Sequence, residues 1–122
     1  MEIVLIRIVL ACVFFLTFVL AERSEAAKHV ALVVGNAAYE HAPKLANPSS
    51  DAEDMAIKLE KMGFEVVLGT DLTMSDTRAA VRNFILKLDD ADVALFYYAG
   101  HGVQVNGENY MAPVDAKLTS YA

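Results

Sequence analysis

Cysteine is almost absent from this sequence. One residue, Cys12, occurs in 122, so no internal disulfide can form. Basic side chains are outnumbered, with 10 Lys and Arg against 16 Asp and Glu, for a net charge of −6. That balance argues against nucleic acid and anionic membrane surfaces as main partners. The three histidines, His29, His41 and His101, lack the spacing of metal ligands. No G-x-G-x-x-G follows the first apolar run, and no G-x-x-x-x-G-K-S/T occurs, so a nucleotide site has no support. A G-x-S-x-G nucleophile elbow is missing as well. No cofactor or metal is therefore expected. There is no internal repeat and no low-complexity stretch, and 122 residues allow a single domain.

What is present is apolar and ordered. The chain is 56% hydrophobic and 21% charged, which excludes a disordered or collagen-like polymer. The first 21 residues carry much of that hydrophobicity. Arg7 precedes an uncharged run from Ile8 to Leu20, and Val19 and Ala21 stand where a signal peptidase reads small residues. This layout predicts a secretory signal peptide over residues 1–21 and an exported protein, periplasmic or secreted. The competing reading is a membrane anchor through uncleaved residues 3–21, although Ile8–Ala21 is short against the ~20 apolar residues of a spanning helix. V-L-A-C at Val9–Cys12 is a weak lipoprotein signal, because the run after Cys12 stays apolar. Cleavage would remove Glu2 and Arg7, leaving the net charge at −6, and would leave no cysteine and no membrane contact.

Beyond a polar lead-in, His29–Val34 is continuously apolar and ends at Gly35-Asn36, as suits a strand buried on both faces of a parallel sheet. Pro43, Asn47, Pro48, Ser49 and Ser50 mark a loop. A helix is predicted next, with Ser50 and Glu53 at capping-box spacing. Ala52, Met55, Ala56, Leu59 and Met62 form its apolar face, and Gly63 stops it. Phe64–Leu68 reads as a second strand. Thr73 and Asp76 cap a second helix, in which Val81, Phe84, Ile85 and Leu88 repeat at helical spacing. Val93–Tyr98 is the third strand. Val103–Val105 and Asn109–Met111 flank Asn106-Gly107, a hairpin turn signal. The order β-α-β-α-β-hairpin predicts an α/β fold with a mainly parallel sheet flanked by helices.

His101 lies between Gly100 and Gly102, directly after the third strand. Ligands in open parallel sheets bind beyond the carboxyl ends of the strands, and histidine exchanges protons near neutral pH. A turn histidine without a role fits the same position. Right-handed crossovers permit the strand order 2-1-3, which puts the loop after strand one, ending at Asp51, on the rim with His101. Asp51 can present a carboxylate to a basic group, or it is an acid favoured by the helix dipole. Asp54 carries the same ambiguity. Asn36 and Tyr39 are rim candidates, Asn36 reading first as a turn residue. Asp115 reads as structural. The methionines of the first helix, Tyr97 and Tyr98 read as packing.

Five blocks in order, V-A-L-V-V-G-N-A-A-Y, L-A-N-P-S-S-D-A-E-D-M, G-F-E-V, D-V-A-L-F-Y-Y-A-G-H-G and N-Y-M-A-P-V-D, resemble the bacterial branch of the caspase-like cysteine peptidases. This is the peptidase C14 family, close to metacaspases and paracaspases. The resemblance runs from about Lys28 to Leu118 and implies a caspase-like domain over 28–122. It implies a caspase–hemoglobinase fold with a Cys–His dyad at the carboxyl rim of the sheet. His101 matches the dyad histidine, and Gly102 falls where a backbone N–H helps bind the oxyanion. Asp51 matches the acid with which metacaspases hold a substrate Arg or Lys, which implies a basic residue before the scissile bond. Ala99 stands where metacaspases often have Ser.

In the family, the nucleophile lies in a D-x-C block after a fourth strand, and this sequence stops before that strand. Cys12 falls in the predicted signal peptide, and no serine has the context to replace the missing thiolate. The expectation is a cysteine endopeptidase domain, acting on peptide or protein substrates, that is inactive as these 122 residues alone. The alternative is a non-catalytic pseudo-caspase module that binds peptides or proteins without cutting them. A small nucleotide or flavin binder is opposed by the missing phosphate loop. Oligomeric state is left open. The third strand is expected to be an exposed apolar edge, prone to pairing with other chains.

Overall fold

A computed structural model describes residues 26–117. The predicted signal peptide and Cys12 lie outside the described residues. Three parallel strands, β1 (His29–Gly35), β2 (Phe64–Thr70) and β3 (Val93–Ala99), form a sheet in the order β2-β1-β3. Both pairings run in unbroken register: His29 opposes Phe64 and Val93, and Gly35 opposes Thr70 and Ala99. Helix α1 (Pro48–Lys61) follows β1, and α2 (Met74–Lys87) follows β2. The hairpin β4 (Gly102–Val105) and β5 (Glu108–Met111) forms a separate antiparallel pair.

The continuous apolar run of β1 is explained by its central place. Side chains alternate across a strand, and both faces of β1 are covered. Ala31 and Val33 pack with Ala52, Ala56 and Leu59 of α1. Leu32 and Val34 meet Val81 and Phe84 of α2 on the other face. Each valine or leucine fully buried in this way contributes ~1.5–3 kcal/mol, and each alanine less.

The two predicted capping pairs part company. Thr73 caps α2: its hydroxyl accepts from the Asp76 N–H at 3.2 Å and donates to the Asp76 carboxylate at 2.6 Å. The Ser50–Glu53 box does not form. Helix α1 begins at Pro48, with Asn47 as an N-cap that makes no side-chain capping bond. Proline suits a first helical position because its φ is preset and its missing N–H has no intrahelical partner there. Ser50 is consequently inside the first turn and donates back to the Asn47 carbonyl at 2.9 Å. Asp51 therefore belongs to the helix rather than closing the loop.

The apolar stripes are also shorter than predicted. Met62 lies past the end of α1 and is exposed, and Ile85 of α2 is 59% exposed. Helix α2 lies against β1 and β2, and its flank carrying Ile85 and Leu86 is exposed. Likewise β3 pairs on one side only among the described residues, with Phe96 49% exposed. No helix among the described residues is long and apolar enough to cross a membrane.

Candidate active site

Three segments converge beyond the carboxyl ends of β1 and β3: the β1–α1 loop, the end of β3, and the return from the hairpin. Their meeting point is a small cluster in which Tyr39, Ala112 and Val114 are buried, with Ala42, Leu45 and Ala116 against them. Asn36 is the buried polar joint. Its backbone N–H continues from β1 to the Ala99 carbonyl at 2.8 Å. Its side chain donates to the Ala112 carbonyl at 3.1 Å and accepts from the Leu72 N–H at 2.9 Å. A buried amide with both ends satisfied ties the segments together, and removing it would orphan its partners. Asn36 and Tyr39 do stand just beyond β1, but both are 2% exposed, so they do not line the rim and act from within.

A second clamp comes from Asp71. With φ 51° it occupies the left-handed region, which Asp tolerates better than most residues. Its carboxylate accepts from the N–H groups of both Ala37 and Ala38 at 2.8 Å. The loop carrying Tyr39 and Pro43 is thereby fixed from beneath.

His101 sits at the centre. Its Nε2 lies 2.8 Å from the Pro43 carbonyl. A carbonyl only accepts, so Nε2 is the donor in this bond, and Nδ1 has no hydrogen-bond partner among the described residues. The imidazole packs on the Tyr39 ring, with centroids 4.5 Å apart and planes at 53°. The backbone of His101 is held as firmly: its N–H donates to the Tyr39 hydroxyl at 2.7 Å, and its carbonyl accepts from the Tyr98 hydroxyl at 2.7 Å and the Ala112 N–H at 3.0 Å. Burial, followed by the contact with the Tyr39 hydroxyl, pushes the Tyr98 phenol well above its ordinary range, so it stays protonated.

The glycines flanking His101 differ. A Cβ on Gly100 would lie 2.6 Å from the hydroxyls of both Tyr39 and Tyr98, whereas a Cβ on Gly102 would meet nothing nearer than the Tyr110 carbonyl at 3.5 Å. Gly102 opposes Met111 across the hairpin. The adjoining Ala112–His101 bond and the alternation of antiparallel ladders make Gly102–Met111 a non-hydrogen-bonded pair. The Gly102 N–H is therefore directed away from β5.

Asp51 lies on the same rim, in the first turn of α1, exposed and with no hydrogen-bond or ion-pair partner for its carboxylate among the described residues. It does not touch His101. Asp115 is structural as predicted, its carboxylate accepting from the Met74 N–H at 2.9 Å. Among the described residues, no group of three His, Cys, Asp or Glu side chains is placed to hold a metal ion. Asp71 and the Tyr39 hydroxyl had no local signal, since their partners lie 33 to 73 positions away.

The family model for the caspase domain, peptidase C14, matches residues 28–121. Human mucosa-associated lymphoid tissue lymphoma translocation protein 1 is 44% identical over 87 residues, which cover 71% of this chain and 11% of that protein. Its mouse homolog is 42% identical over 87 residues, covering 71% of this chain and 10% of its own length. The chain thus spans about a tenth of the length of the curated relatives it matches.

Proposed function

The chain belongs to the caspase domain family, peptidase C14, and on that premise we infer that it carries the histidine side of a cysteine endopeptidase centre. The observation that carries this reading is the His101–Pro43 bond of 2.8 Å at the carboxyl rim of the sheet. With Nε2 engaged as a donor, the neutral imidazole keeps Nδ1 for the role of base in this reading.

In this reading, Nδ1 of His101 takes the proton of a cysteine thiol, and the thiolate attacks the scissile carbonyl carbon. The carbonyl oxygen becomes an oxyanion beside the Gly102 N–H, the position from which a fixed donor is most effective. The imidazolium then gives its proton to the departing amine as the C–N bond breaks. Water, deprotonated by the same nitrogen, attacks the thioester, and the acid product leaves with the thiol restored. The reading requires a thiol from outside residues 26–117, which contain none. Asp51, exposed and unpaired on the same rim, receives a substrate Arg or Lys. The substrates are peptides or proteins. Export through residues 1–21 belongs to the same proposal, as an expectation from sequence.

The test is fluorogenic peptide cleavage by the full-length protein, with Arg, Lys or Asp before the scissile bond. Cleavage after Arg and Lys, lost in His101→Ala and on thiol alkylation, supports the reading. Asp51→Asn should raise KM for these peptides. Peptide binding with no cleavage would replace it with the non-catalytic pseudo-caspase reading.

A further inference from the structure

The two hydroxyls at His101 form a closed path. The His101 N–H donates to the Tyr39 oxygen at 2.7 Å, the Tyr39 and Tyr98 oxygens lie 3.2 Å apart, and the Tyr98 hydroxyl donates to the His101 carbonyl at 2.7 Å. Protons running from His101 N–H to Tyr39, from Tyr39 to Tyr98 and from Tyr98 to His101 C=O satisfy it, and the Ala112 carbonyl is a second acceptor for both hydroxyls, at 3.3 and 3.1 Å. The path begins and ends on the two peptide groups of one residue. It restrains both sides of the His101 Cα without engaging either imidazole nitrogen.

We propose that Tyr39 and Tyr98 are positioning residues, a two-hydroxyl clamp that sets the His101 backbone, and hence its imidazole, before any substrate arrives. The proposal rests on His101 being the acid–base residue of the centre. Three further observations support it. The Tyr39 ring also packs on the imidazole, so one side chain orients both backbone and ring. Tyr39 and Pro43 lie on the same loop, so the clamp and the Nε2 anchor move together. The space that a Gly100 side chain would need is filled by both hydroxyl oxygens at 2.6 Å, which gives Gly100 a packing reason distinct from that of Gly102. Restraint of this kind matters because catalytic geometry tolerates little displacement.

The clamp is asymmetric. Tyr39 is the acceptor that holds the His101 N–H, whereas the His101 carbonyl keeps the Ala112 N–H if Tyr98 is lost. Tyr39→Phe and Tyr98→Phe each delete one oxygen and retain the ring. In the full-length protein, residue-resolved hydrogen exchange should show at least a tenfold faster His101 amide in Tyr39→Phe and a smaller gain in Tyr98→Phe. The Val33 amide, in the centre of β1, should be unchanged in both. Peptide cleavage should lose kcat with KM held. His101 and Val33 accelerating together would reduce the hydroxyls to general packing and overturn the proposal. An unchanged His101 amide in Tyr39→Phe would overturn it too. The exchange readout needs no cleavage, so a protein that cuts nothing sinks the peptidase reading while the clamp is still judged on its own.

Discussion

The carboxylate of Asp115 accepts a hydrogen bond from the Met74 N–H at 2.9 Å. The chain leaving the hairpin therefore helps to cap α2, beside Thr73, which serves the Asp76 N–H. Losing a carboxylate or hydroxyl partner at a helix N-terminus costs about 1 kcal/mol. Asp115→Ala should lower the melting temperature by roughly 4–8 °C for a domain of this size. Asp115→Asn, which retains an acceptor oxygen, should lose less. Thermal unfolding followed by circular dichroism checks both.

The glycines on either side of His101 should separate fold from function. Gly100→Ala forces a methyl against two hydroxyls at 2.6 Å, an overpacking cost of about 1–3 kcal/mol. Gly102→Ala has room for its methyl at 3.5 Å, so stability should hold while peptide cleavage by the full-length protein falls. Equal loss of stability in the two variants would contradict the open space found beside Gly102.

Tyr98 gives the fold an alkaline limit. Its phenol titrates higher in the folded protein than in the unfolded chain, chiefly through burial. Above pH ~10 the unfolded chain sheds this proton while the folded protein keeps it. Stability is thus fully present below about pH 10 and falls as pH rises beyond it, with a slope approaching ~1.4 kcal/mol per pH unit for one proton. Urea unfolding across pH 9–11 should show the decline, and Tyr98→Phe should flatten it.

Strand β3 predicts how the chain behaves alone. It is paired on one side among the described residues, and Val93 and Phe96 are 40% and 49% exposed. Unpaired backbone beside apolar side chains invites pairing between molecules. Sedimentation of the 122-residue chain should show concentration-dependent association, weakened by Phe96→Lys. A monomer at every concentration would contradict this.

The strands, the helices between them and the hairpin were legible because each rests on a short-range pattern, whereas the order β2-β1-β3 was only one that right-handed crossovers permit. β1 announces two-sided burial by its unbroken apolar run, and Asn106-Gly107 announces a turn in which both residues have positive φ, 52° and 83°. The start of α1 was misread because Ser50 and Glu53 imitate a capping box while Pro48 already occupies the first helical position. Ile85 kept its helical period but lost its partner, since periodicity gives a direction without saying whether anything lies there. His101 was visible through its glycines and its place after β3. Its supports were not: Tyr98 looks like strand packing until the fold brings Tyr39 across 59 positions to meet it.

The hairpin is exposed along nearly its whole length, yet its base is bonded to His101 through the Ala112 N–H. It is a pointer whose pivot lies at the site and whose tip projects into solvent. A fluorophore near Asn106 would therefore stand in solvent, on strands whose base is bonded to His101, without touching the imidazole.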